Sequence, residues 1–218
     1  MGRIKAWATS LVVLVLLGFS LVAQDTGIGV VQYEAAAYPI ADLRRSVFVL
    51  HAVYDGPERE RHCTAFVVAE QRLLTAAHCV KDNLGVHILD EGGNQWEVQV
   101  VRVWAELDIA ELRSDVATPS LQLGVDPVED AEVLALSNSG GHDMIFSLRG
   151  RVAGKLDQYF VAQMFGQTPG FSGGPALCGA DYRVCGIFLG YSPRNDLTMV
   201  LPVSAWRDVL QEPSAIVK

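Results

Sequence analysis

The sequence predicts an all-β fold, a sandwich or a pair of barrels built from many short strands. Three observations carry this. Runs rich in β-branched and aromatic residues recur at short intervals, and clusters of Gly, Pro, Asn and Asp punctuate them. Only one stretch after the N-terminal segment has apolar residues at convincing helical spacing.

A first strand is expected over Ser46–Tyr54, ended by the Asp55-Gly56-Pro57 turn, and a second over Ala65–Val68. Val86–Leu89 and Trp96–Val103 follow, with Glu91-Gly92-Gly93-Asn94 turning between them. Val133–Leu136, Phe146–Val152, Tyr159–Met164, Ala176–Cys178, Val184–Leu189 and Thr198–Leu201 complete the set. Val203–Leu210 then reads as a C-terminal helix, with Ser204 placed as its N-cap.

The N-terminus has a different character. Arg3 and Lys5 precede the apolar run Leu11–Leu17, and Leu21-Val22-Ala23 ends in a small residue suited to cleavage before Gln24, so residues 1–23 read as an export signal. The apolar stretch from Ala6 to Ala23 sits at the lower limit of a membrane span, so an uncleaved anchor is the alternative. Removing Arg3 and Lys5 leaves 15 basic against 25 acidic side chains, a formal charge of −10. Such a surface excludes nucleic acid and anionic membranes as favoured partners, because both require clustered positive charge. The remaining length suits one compact unit, without a repeat or linker.

Two short runs carry chemistry. Thr168-Pro169-Gly170-Phe171-Ser172-Gly173-Gly174-Pro175 places a serine among glycines, and Leu74-Thr75-Ala76-Ala77-His78-Cys79 supplies a histidine upstream. A serine hydroxyl needs a base within hydrogen-bond reach and a site for developing negative charge, and glycine lets backbone N–H groups face one oxygen. The base in turn needs an acceptor for its other ring N–H. Asp108, in Asp108-Ile109-Ala110-Glu111-Leu112, is a candidate that the family resemblance given below selects. Asp115 is the rival, disfavoured because Thr118-Pro119 ends any strand that it would start.

Together these motifs resemble the chymotrypsin/trypsin-like serine protease family, in the chain order His78, Asp108, Ser172. The resemblance covers about Ser46 to Leu210. The interval of 30 residues from His78 to Asp108 is similar to the compact bacterial branch, HtrA-like and glutamyl-endopeptidase-like enzymes included. The resemblance implies two packed antiparallel β-barrels with a C-terminal helix. Residues 24–124 would form the barrel carrying His78 and Asp108, and residues 125–218 the barrel carrying Ser172 and the helix. It further implies an oxyanion hole from the N–H groups of Gly170 and Ser172, and substrate contacts from Thr168, Phe188, Leu189 and Gly190, an extended peptide pairing with Leu189-Gly190 as an added strand.

Cys63 and Cys79 have the separation with which the family ties its histidine loop, which implies a disulfide. Cys178 and Cys185, six residues apart in between, can face each other across a hairpin as a second one. Phe171 stands where digestive members carry an aspartate that receives a freshly cut N-terminus, so activation by that route is not expected. The pocket segments 166–169 and 187–190 lack charge, which implies a small or medium apolar residue in the substrate.

The remaining conspicuous residues have plainer readings. His51, His62, His87 and His142 show no zinc-site spacing and read as surface or strand histidines. Trp96, Trp104 and Trp206 read as core, and Asp126, Glu129 and Asp130 as a solvated loop with a calcium site as alternative. No metal or other cofactor is expected. The functional expectation is a monomeric, secreted or periplasmic serine endopeptidase acting on peptide or protein through an acyl-enzyme, touching a membrane only if the leader is retained. The alternative is a catalytically silent binding protein on the same scaffold.

Overall fold

A computed structural model describes residues 40–55, 60–192 and 196–211. The expected leader lies outside them. They fall within one compact unit, Ala35–Lys218, and consist almost wholly of antiparallel strands.

A five-residue helix, α1 (Ile40–Arg44), leads into β1 (Val47–Val53), whose first six residues are all buried. That continuous burial is explained by position. β1 lies between β2 (Glu60–Ala69) and β4 (Gly85–Leu89), and also packs against strands of the second half. With β3 (Arg72–Ala76), β5 (Gln95–Glu97), β6 (Gln99–Trp104) and β7 (Ile109–Arg113), the first half forms a seven-stranded sheet in the order β5-β4-β1-β2-β3-β7-β6. The expected closed barrel is therefore not formed here by hydrogen bonding. The strand expected over Trp96–Val103 splits at Val98, because β5 pairs with β4 whereas β6 pairs with β7 at the opposite edge of the sheet. Since one residue joins the two edge strands, the sheet must curl to bring its edges together.

Residues 114–131 run without a regular strand from this sheet to the second half. There β8 (Glu132–Asn138), β9 (Ile145–Leu156), β10 (Tyr159–Met164), β11 (Pro175–Cys178), β12 (Arg183–Ser192) and β13 (Leu197–Pro202) close into a barrel, β10-β13-β12-β11-β8-β9. Register shifts at Val161/Ala162, Ala176/Leu177 and Phe188/Gly190 supply the bends that closure requires. Val133, Ala135, Phe160, Ala162, Met164, Phe171 and Phe188 fill one buried cluster within it.

The expected C-terminal helix is corrected. Val203–Ala205 and Asp208–Gln211 form two short 3-10 turns. Ser204 does not act as the expected cap, for its backbone N–H and hydroxyl both donate to the carboxylate of Asp126, at 3.0 and 2.6 Å. Eight residues are too few to sustain an isolated α-helix, and tertiary partners decide the geometry. Trp206 is fully buried, as expected, and the Leu210 carbonyl accepts from Arg72, whose guanidinium also makes a two-pronged pair with the buried Glu111. Among the described residues, no helix is long and apolar enough to cross a membrane.

Candidate active site

β3 ends in a 3-10 turn, Ala77–Cys79, that lifts His78 to the surface, where its side chain is 43% exposed. Asp108 closes the turn before β7 with φ +54°, a conformation that Asp and Asn tolerate better than most residues. It grips the histidine turn three times. Its carbonyl accepts from the Ala77 N–H at 2.9 Å, Oδ1 from the His78 N–H at 2.9 Å, and Oδ2 from His78 Nδ1 at 2.7 Å. Imidazole and carboxylate are thus locked in position, with Nε2 left free of this carboxylate. Asp115 is exposed and has no part in this arrangement.

Ser172 comes from the other half of the molecule, in the loop between β10 and β11. The loop is moored across the junction. Ser172's carbonyl accepts from the Thr64 N–H at 2.9 Å, Gly170's carbonyl accepts from the Thr64 hydroxyl at 2.9 Å, and the same hydroxyl accepts from the Asn138 N–H at 2.8 Å. Thr75 donates to the Thr64 carbonyl at 2.7 Å and fixes this hub from behind. Gly173, at φ +84°, lies so close that a Cβ there would fall within 3.0 Å of the Thr64 carbonyl, the Thr75 hydroxyl and the Ala76 nitrogen. A Cβ on Gly170, at φ +105°, would collide with the Asn138 amide. These glycines therefore serve close approach as well as turning.

Both expected disulfides are formed, Cys63–Cys79 and Cys178–Cys185. The first joins the neighbours of Thr64 and His78, so one covalent link ties the histidine turn to the hub that holds Ser172. Phe171 is buried, its ring edge-on to Phe188 with centroids 4.7 Å apart. An aromatic anchor in the barrel core thus occupies the position where an ion pair was not expected. Among the described residues, no acceptor takes the N–H of Gly170 or Ser172.

The serine hydroxyl points elsewhere than the imidazole. It donates to the Leu189 carbonyl at 3.1 Å, and no hydrogen bond joins it to His78. The other expected contact residues are distributed unevenly. Thr168 is half-buried and its hydroxyl lies 2.6 Å from that of Ser139, Gly190 faces open space, and Leu189 occupies the irregularity between β12 and β13. Phe188 is fully buried, so its side chain belongs to the barrel core and only its backbone is placed near the loop, with the carbonyl 2.7 Å from the Gly173 N–H. Thr64 and Asn138 are the residues that sequence reasoning missed. Thr64 is the one polar residue in the buried run Cys63–Val67 of β2, and Asn138 is buried at the end of β8 beside the buried Ser137, and these were the available signals.

Comparison with known proteins gives the family and the fold. The family model described as the trypsin-like peptidase domain matches residues 63–187. The protein named Protease Do-like 4, mitochondrial, of Arabidopsis thaliana is 26% identical over 163 residues, 68% of this chain and 31% of its own length, so the chain spans about a third of that relative. Among solved structures, the active form of the Rv3671c protease from M. tuberculosis superposes with a TM-score of 0.72 at 20% identity, covering 82% of this chain and 85% of the other. The serine endoprotease from Yersinia pestis gives 0.68 at 15% identity, over 79% and 64%. These two likenesses are likenesses of fold.

Proposed function

Because the chain belongs to the trypsin-like peptidase domain family, we propose that it is a serine endopeptidase working through an acyl-enzyme. His78 acts as general base and then acid, Asp108 holds its tautomer, Ser172 is the nucleophile, and the N–H groups of Gly170 and Ser172 receive the oxyanion. The observation that carries this reading is the double grip of one carboxylate on the backbone and ring of His78, beside a loop that presents Ser172 from the opposite half. That geometry orients a base and serves little else.

In the step itself, rotation about χ1 frees the Ser172 hydroxyl from the Leu189 carbonyl and turns it toward His78 Nε2. Catalytic hydrogen bonds commonly tighten only once substrate is present. The serine oxygen then bonds to the scissile carbonyl carbon, its proton passes to Nε2, and the leaving amine takes that proton as the peptide bond breaks. Water repeats the sequence in reverse to release the acid. Leu189-Gly190 pairs with the substrate backbone as an added strand, and the uncharged pocket segments favour a small or medium apolar side chain.

Two disulfides suit an oxidising compartment, in keeping with export of a monomeric enzyme whose partners are peptide or protein substrates. Phe171 in place of an acid supports activity without an N-terminal cut. The reading is tested by fluorophosphonate labelling of the oxidised full chain. Labelling is expected in wild type and in a Ser204→Ala control, and absent in Ser172→Ala. An unlabelled but folded wild type would favour the silent binding protein instead.

A further inference from the structure

The ladder of the first sheet does something that the sequence spacing concealed. In the β1–β2 register His51 lies opposite His62, and in the β1–β4 register the same His51 lies opposite His87, so three imidazoles stand in one row across three strands. Two carboxylates close around the central ring. Glu60 Oε1 is 2.8 Å from His51 Nδ1, and Asp143 Oδ1 is 2.9 Å from His51 Nε2. His51 is 5% exposed, an unusual depth for a titratable ring held between two acids.

The two contacts differ in kind. At Nδ1 the hydrogen bond to Glu60 is aligned, and because a carboxylate accepts, this nitrogen is the donor, which leaves Nε2 as the ligand atom. At Nε2 the Asp143 oxygen is equally close, yet the atom is buried and makes no aligned hydrogen bond, and Nδ1 of the neighbouring His62 is likewise buried and unpartnered. A buried ring nitrogen and a carboxylate oxygen 2.9 Å apart without an aligned hydrogen bond are placed to share a cation. Ligand atoms of His51, His62 and Asp143 all fall within 4.8 Å of one another. Two imidazoles and a carboxylate, with Glu60 on the far nitrogen of one of them, form a donor set with its orienting partner in place.

We infer that His51, His62 and Asp143 bind a divalent transition metal, Zn²⁺ or one of similar preference, with Glu60 fixing the His51 tautomer. The His62 ring, tilted 40° to His51 and only partly buried, converges on the ion with a small swing. His87 does not join. It stacks nearly parallel to His51, 22° between planes at 4.9 Å, and cofacial rings do not aim their lone pairs at one point. Asp143 is more than half exposed, which leaves a solvent path for the ion and an open position for water.

The site would also act as a clasp. Asp143 belongs to the loop between β8 and β9, whereas both histidines belong to the first sheet, so a bound ion would join the two halves. The same loop holds the serine segment, through the Gly140 N–H on the Pro169 carbonyl at 2.9 Å and Ser139 against Thr168. Metal binding therefore braces residues 168–170 from a point outside the catalytic groups.

Calorimetric titration of the oxidised full chain with ZnCl₂ tests this independently of peptidase activity. One ion should bind per chain, and affinity should fall about 100-fold in Asp143→Asn and in His62→Ala. His142→Ala and His78→Ala should bind as wild type. Because Asp143 is exposed, its variant leaves the fold intact even if His62→Ala does not. Added Zn²⁺ should slow amide exchange in residues 139–144 and 168–171. Binding no tighter than about 1 mM would overturn the inference. So would binding that survives Asp143→Asn but is lost in His78→Ala, which would move the ion to the catalytic histidine, or a His51 ring that remains doubly protonated and metal-free at neutral pH.

Discussion

Asp108→Asn separates the chemistry of the site from its architecture. Asparagine keeps an oxygen for the His78 backbone N–H, now bonded at 2.9 Å, and it tolerates the φ of +54° at this position. At the ring, however, an amide NH₂ replaces the acceptor that now lies 2.7 Å from His78 Nδ1. Two donors cannot face each other, so Nδ1 must lose its proton and Nε2 must take one. The nitrogen meant to accept the serine proton then has no lone pair. Where this has been isolated in such triads the loss is about 10⁴ in kcat, or about 5.5 kcal/mol of barrier, while folding should change by no more than about 0.5 kcal/mol. The assay is the rate of fluorophosphonate labelling at neutral pH beside a thermal melt of the same sample. A variant melting like wild type and labelling within tenfold of it would refute the assignment of Asp108 as the orienting group.

Gly173→Ala should lower stability by about 3 kcal/mol, combining left-handed backbone strain with a clash against rigid backbone, and should shift Tm by roughly 10 °C. Labelling should fall with it, and an unshifted melt would contradict the packing described. Replacing Cys63 and Cys79 together by Ser should cost about 3 kcal/mol by denaturant titration and also slow labelling. The same change at Cys178 and Cys185 should destabilise but leave the labelling rate of folded protein unaltered. Asp90 offers a test by pH. Partial burial pushes its carboxyl up, but donors from Asn94 and Gly92 outweigh this and hold it below the ordinary value of 3.8. Its stabilisation is therefore present above that value and lost as pH falls through the lowered one. Asp90→Ala should cost about 1 kcal/mol at pH 7, and the difference from wild type should narrow on acidification below pH 3.8, read from paired melts.

What the sequence made legible was whatever is local. β10 spans Tyr159–Met164 as expected, because its alternating pattern and flanking turns are contiguous, and His78, Asp108 and Ser172 could be singled out because each stands within its own short motif. Where pairing is long-range the reading fell short. Trp96–Val103 looks like one strand by composition, yet its two ends are claimed by opposite edges of the same sheet. The terminal turns depend on Arg72 and Asp126, 138 and 78 residues away from their partners. His51, His62 and His87 seem unrelated at intervals of 11 and 25 residues, and only strand register aligns them. Thr64 stands out in sequence only as a polar residue in an apolar run, and nothing local says that its few atoms hold the serine loop.

The mooring of that loop on Thr64 makes the placement of Ser172 a product of assembly. Neither half alone contains a finished site, because the first lacks the serine and the second lacks the surface against which the serine is shaped. On the mechanism proposed above, reactivity requires both halves to be in contact, so a chain that misassembles stays inactive.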